Sequence, residues 1–266
     1  MTFILRLPHI VLLFPLLLGL HGCSSSPDAD DPTAGWTAEE IYDEAKAELD
    51  NGQYETAIQL YERLESRFPY GIYAERAQLE AAYAYYKYNE PESAILAADR
   101  FIKLHPNHPK VAYAYYLRGL ASFDADQSFM NRVFRQDPTE RDPKAARRAF
   151  AYFGELVRKF PNSEYSREAI NRMYDLRDGL AKYEVHVINY YLKRKAYVAV
   201  VNRASYILNN YQNTPYVPDA LGAMVVAYHE MGLDDLATDA LRVLQLNYPD
   251  HKITHKVKKL PLAPAS

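Results

Sequence analysis

The chain has 266 residues, 48% hydrophobic and 24% charged, with 31 Lys and Arg against 34 Asp and Glu and a formal net charge of -3. That length serves one or two domains or a linear array of repeats, and the charge lacks the positive excess of a protein held to nucleic acid mainly through phosphates. One cysteine excludes an internal disulfide framework and any zinc site needing two thiolates, while 24 tyrosines commit a large aromatic area to core or to a binding surface.

Residues 1–22 read as an export signal, with Arg6 as the positive start and Ile10 to Leu20 as an apolar run too short to span a bilayer. The run ends in Leu20-His21-Gly22-Cys23, followed by Ser24-Ser25-Ser26 and the acidic Asp28 to Asp31. This resembles a bacterial lipobox, which implies S-diacylglycerol and N-acyl lipid on Cys23; an ordinary secretory signal beside a chance cysteine is the alternative. His21 departs from the small or aliphatic residue usual at its position. Residues 23–36 are expected to be a flexible tether, with the fold beginning near Thr37.

From there a pattern repeats. Gly52 precedes Tyr54, Ala57, Ile58, Tyr61, Leu64, Phe68 and Pro69. Ala94, Ile95, Ala98, Phe101 and Pro106 restate it, as do Ala149, Phe153, Leu156 and Pro161. Val200, Ala204, Ile207 and Tyr211 give a fourth version with Gln212 in place of Pro, and Ala237, Leu241, Leu244 and Pro249 a fifth behind Gly232. Partner helices are expected at Ile41 to Leu49, Ala74 to Tyr88, Val111 to Phe123 and Pro218 to Met231, with Ala45, Ala82 and Gly119 small where helices must approach. Residue identities recur, not only hydrophobicity, which points to tetratricopeptide repeats. The expected fold is all-α, a right-handed solenoid of five helix pairs over residues 37–250. Two intervals are longer than the period. One excess is placed in a polar insertion from Asp124 to Asp142; the other lengthens a helix around Tyr165 to Lys193, with a face of Ile170, Met173, Leu176, Leu180, Tyr183, Val187 and Tyr191. Residues 251–266 read as a solvated basic tail.

No phosphate-binding Gly-rich loop, nucleophile elbow or His-Glu-x-x-His motif occurs. His105 and His108 flank Pro106 without a third ligand and are expected to cap a helix end. Glu39-Glu40 and Asp234-Asp235 suit helix N-termini. The chain therefore reads as non-enzymatic, with no cofactor and no metal. The tyrosines in Tyr83-Ala84-Tyr85-Tyr86-Lys87-Tyr88 and Tyr113-Ala114-Tyr115-Tyr116 are too close to share one core stripe, so some are expected to line a groove.

Phe68 to Tyr73, Ala82 to Lys87, Asp99-Arg100-Phe101-Ile102, His105 to Pro109, Arg141-Asp142-Pro143 and Ala199 to Arg203 are similar to motifs of the BamD family of outer-membrane protein assembly lipoproteins. The resemblance implies an adaptor of the β-barrel assembly machinery, lipid-anchored on the periplasmic face of the outer membrane. Repeats in 37–163 would face unfolded barrel substrates, and repeats in 164–250 would dock on a periplasmic POTRA domain of BamA, beside other lipoproteins such as BamC. It further implies Tyr70, Gly71 and Tyr73 at the substrate peptide and Asn202 and Arg203 at BamA. Arg203 pairing within its own solenoid, and Gly71 as a simple turn residue, stay open, as does a cell-envelope scaffold in peptidoglycan or division complexes.

Overall fold

A computed structural model describes residues 31–133 and 143–262 of the protein. The chain divides into two compact units, one ending at Trp36 and one beginning at Thr37. In the described part of the first, the Asp31 carboxylate accepts from the Thr33 amide and hydroxyl, closing a short turn.

The second unit has, among the described residues, eleven helices and no strand. They are α1 (Ala38–Asp50), α2 (Tyr54–Arg67), α3 (Ile72–Lys87), α4 (Pro91–Leu104), α5 (Val111–Val133), α6 (Lys144–Lys159), α7 (Glu164–Lys193), α8 (Tyr197–Asn210), α9 (Val217–Glu230), α10 (Asp234–Asn247) and α11 (Lys252–Val257). Each of the first ten packs on its neighbour in sequence. The odd-numbered helices α1 to α9 also bring their backbones close to the next odd-numbered one, whereas even-numbered helices stand farther apart and meet through long side chains, as in Arg100 with Glu65 and Arg148 with Glu92. A stack crowded on one side and splayed on the other curves, which puts the odd-numbered helices on its concave side.

Two recurring turns set this geometry. Inside the pairs, Gly52, Asn89, Lys195 and Gly232 all take a left-handed backbone, with φ of 78°, 65°, 57° and 74°. The next amide in each case reaches back five residues: Gln53 to Glu48, Glu90 to Tyr85, Ala196 to Tyr191 and Leu233 to Tyr228, at 2.9–3.0 Å. That bond satisfies a helix-end carbonyl and reverses the chain. Between pairs, Phe68, His105, Phe160, Tyr211 and Tyr248 end their helices with φ from -127° to -138°. Each donates its amide to the carbonyl four residues back at 2.7–2.8 Å. Gln212 follows Tyr211 without disturbing that shape, so the fourth repeat ends at the expected place.

The repeated side chains fill the seam. Ala57, Tyr61 and Leu64 on α2, Ala94, Ala98 and Phe101 on α4, Ala149, Phe153 and Leu156 on α6, and Val200, Ala204 and Ile207 on α8 are all fully buried. Their i, i+4, i+7 spacing is one face of a helix. Gly119 on α5 is required by Phe153: a Cβ there would lie 2.3 Å from the ring.

Three expectations change. α5 does not stop at Phe123 but continues to Val133, because neither Pro nor Gly occurs before Pro138; residues 134–142 lie outside the described residues. In α7 the buried stripe is Ala169, Leu176, Leu180, Glu184 and Ile188, while Ile170 is exposed. A carboxylate at the buried position makes the stripe unreadable as hydrophobic periodicity. The tail is not simply solvated. His251 caps α11 by accepting from the Ile253 amide, Val257 is buried, and Ile253 lies so close to Gly222 of α9 that a Cβ there would come within 2.3 Å.

Candidate functional site

At the N-terminal end, Gly71 precedes α3 with φ of 103°, a conformation glycine adopts without a Cβ penalty. Nothing lies within 4 Å of its missing Cβ, so the backbone there is open. Beside it Tyr70 is 91% exposed and Ile72 is 57% exposed, an apolar pair left in water. Tyr73 behaves differently. Its ring lies 5.6 Å from that of Tyr42 on α1, which in turn is 6.1 Å from Tyr61, and a hydrogen bond to Glu39 raises its hydroxyl pKa. Tyr42 joins this cluster without a sequence signal, since it sits one position past the buried Ile41.

The tyrosine clusters divide. Tyr115 and Tyr116 are buried; Tyr116 stacks on Tyr165 at 5.4 Å, and its pKa is pushed up to about 12 by burial and a hydrogen bond to Glu168. Tyr85 donates to Glu62, Tyr86 to Asp124 and Tyr88 to Glu55, so carboxylates hold the partly exposed rings in place. Arg118 lies between the rings of Tyr115 and Tyr152, 5.0 and 4.2 Å from their centroids, and joins Asp99 of α4 to Glu155 of α6. This buried cation locks three helices together.

Toward the other end, Asn202 and Arg203 lie on α8, with Asn202 exposed and the Arg203 side chain 43% exposed. Arg203 Nη1 donates to Glu184 Oε2 at 3.2 Å, while Arg147 Nη2 donates to the other oxygen at 3.3 Å. Glu184 is 1% exposed. A buried carboxylate held by two guanidinium groups ties α6, α7 and α8 and fixes one edge of Arg203. The internal pairing left open for Arg203 is thus present.

Cys23 lies outside the described residues. His105 ends α4 with Nε2 2.9 Å from Gln78 Oε1, and the Lys110 amide donates to His108 Nδ1 at 3.1 Å, so both histidines act in the turn. Glu40 completes a capping box with Thr37 at the start of α1. Among the described residues no cluster of His, Cys, Asp or Glu could hold a metal, and no helix is long and apolar enough to cross a membrane.

A family model described as "YfiO: Outer membrane lipoprotein" matches residues 35–244. The chain is 46% identical to outer membrane protein assembly factor BamD of Neisseria meningitidis over 90% of this chain and 91% of the relative. It is 38% identical to BamD of Xylella fastidiosa over 95% and 85%, and 37% identical to BamD of Vibrio cholerae over 86% and 93%. Among solved structures, the TPR2AB domain of yeast Sti1 aligns with 83% of this chain and 81% of its own at 11% identity and a TM-score of 0.44. By the family model and the relatives of similar length, the chain belongs to the YfiO family of outer membrane lipoproteins, whose curated relatives are named BamD.

Proposed function

We propose that the chain is a non-enzymatic lipoprotein adaptor for assembling β-barrel proteins into the outer membrane. The observation that carries this reading is membership of a family whose relatives, 46% identical over nine-tenths of the chain, are named as assembly factors. The helix stack supports it, because a curved repeat array offers separated surfaces for different partners. A cell-wall or division scaffold has no such support.

Lipid on Cys23 holds the chain at the periplasmic face of the outer membrane, several acyl chains anchoring where one would not. The N-terminal repeats receive unfolded barrel proteins, with Tyr70 and Ile72 offering apolar area at the turn that Gly71 permits and Tyr73 bordering it. The C-terminal repeats hold BamA through Asn202 and Arg203. Glu184 occupies Nη1 of Arg203, which leaves the Nε and Nη2 edge for a forked pair with a BamA carboxylate. Other lipoproteins of the machinery, BamC among them, bind elsewhere on the stack. Nothing is made or broken; holding substrate and insertase on one rod raises the local concentration of one at the other.

Arg203→Glu is expected to abolish co-purification with BamA from detergent extracts, with Arg203→Lys intermediate. Undiminished association of Arg203→Glu in high salt would overturn the assignment of that residue.

A further inference from the structure

A groove runs between α7, α9 and α11, away from the residues assigned above. It holds a cavity of about 380 Å³ whose floor includes Ile188, Leu192, Val226 and Ile253. Leu192, Val226 and Ile253 are only partly buried, so apolar surface at the bottom faces an opening. A second cavity of about 610 Å³ shares Asn189, Leu192 and Lys193 with the first and continues along α7 past Tyr190. Together they make a channel suited to an extended chain, at roughly 3.3 Å per residue, more than to one compact small molecule.

The rim is basic. Lys193, Lys195 and Lys256 line the groove, and among the described residues none forms an ion pair. Lys195 holds the left-handed turn position that Gly52, Asn89 and Gly232 hold in the sister turns, so a cation stands where the backbone favours glycine. The two segments at the mouth, 193–195 and 251–259, carry seven Lys and Arg and no acid, in a chain of net charge -3. The acids on the opposite wall are Asp219 and Glu230, both on α9; Glu230 accepts from the Tyr197 hydroxyl at 3.0 Å, and Asp219 lies in the first turn of α9, where the helix dipole favours it. The excess charge at the mouth remains positive.

We propose that this groove binds an extended acidic segment of a partner protein, seating apolar side chains on the floor and carboxylates on the lysine rim. Charge complementarity selects the sign of the partner and the recessed floor selects its shape. A flat anionic bilayer would reach the lysines but not the apolar residues beneath them. The site is separate from Asn202 and Arg203 and does not depend on their role.

The test uses the full chain in detergent micelles and a fluorescein-labelled ten-residue peptide alternating Asp or Glu with Leu or Phe. Matched peptides replace every acid by Lys, or every Leu and Phe by Ser. Saturable anisotropy is expected with the acidic apolar peptide alone. Combining Lys193→Glu, Lys195→Glu and Lys256→Glu should weaken it by on the order of tenfold or more. Val226→Asp, placing a like charge on the floor, should weaken it by several-fold, while Lys103→Glu, an equal charge reversal at an exposed position on α4, leaves it unchanged; circular dichroism verifies that each variant is folded. No binding, equal binding of the Lys or Ser peptide, or indifference to the lysine reversals would overturn the proposal. Binding of phosphatidylglycerol vesicles in place of the peptide, lost on the same reversals, would overturn it in favour of a membrane-facing patch.

Discussion

In the N-terminal repeats α1 to α4, tyrosine hydroxyls donate to two glutamates of α2, Tyr85 to Glu62 and Tyr88 to Glu55, while Tyr70 and Ile72 stay in water. Around α6 to α8 the pattern inverts: a buried Glu184 is held by Arg147 and Arg203, and unpaired lysines border an apolar groove. The backbone is nearly the same in both, because Gly52 and Asn89 at one end and Lys195 and Gly232 at the other make one kind of turn. A repeat array can therefore keep its frame while the polar chemistry of each end diverges. One end leaves aromatic and apolar side chains in water, and the other presents cations beside an apolar groove.

The largest test of that separation is core truncation. Phe101→Ala on α4 and Ile207→Ala on α8 each remove a fully buried side chain and are expected to cost about 3 kcal/mol. Since each helix pair contacts only its neighbours, native-state hydrogen exchange should show lost protection concentrated in the mutated half. Equal loss at both ends would break the comparison.

A smaller effect comes from pH. Glu92 is held below the ordinary carboxylate value of 4.5 by its hydrogen bonds from Arg148. For Glu155, burial works in the raising direction, but hydrogen bonds from Arg118 and Lys159 prevail and its pKa is lowered. A carboxyl whose pKa is depressed by folding contributes stability that is present above its unfolded value and lost as pH falls through the folded one. Glu65 has the opposite sign, since burial raises its pKa and protonation relieves that cost. Urea midpoints should therefore fall on acidification below about pH 4.5, the side-chain value cited for Glu92 and Glu155, and Glu155→Gln should blunt the fall. An unchanged slope in that variant would remove the Arg118 link from the account.

The smallest expected change is a gain. Lys195→Gly relieves a left-handed backbone at a non-glycine residue and should stabilise the chain by roughly 0.5–1 kcal/mol, read as a higher thermal midpoint. A lower midpoint would mean that the lysine side chain supports the turn.

The repeat was legible because its signal is redundant: the same three core positions recur in α2, α4, α6 and α8, and Pro or Gly punctuates most ends. Asn89 and Lys195 escaped notice as turn residues because only glycine advertises a positive φ. Glu184 was hidden in the same way, since a buried ion pair appears in sequence as a charge and not as core. The docking of α11 depends on Gly222 meeting Ile253, a contact between distant residues that no local pattern encodes. At the candidate sites, motif resemblance singled out Tyr70, Tyr73 and Arg203, but not Tyr42 beneath Tyr73 or Glu184 beneath Arg203, because those partners come from neighbouring helices.

Site-specific photocrosslinking in intact cell envelopes tests the two-ended adaptor most directly, with the crosslinker placed at Tyr70 or at Asn202 of the full lipidated chain. The account predicts that position 70 captures unfolded barrel proteins through their C-terminal segments, while position 202 captures BamA. Capture of the same partner at both positions, or of BamA at position 70 and substrates at position 202, would contradict it.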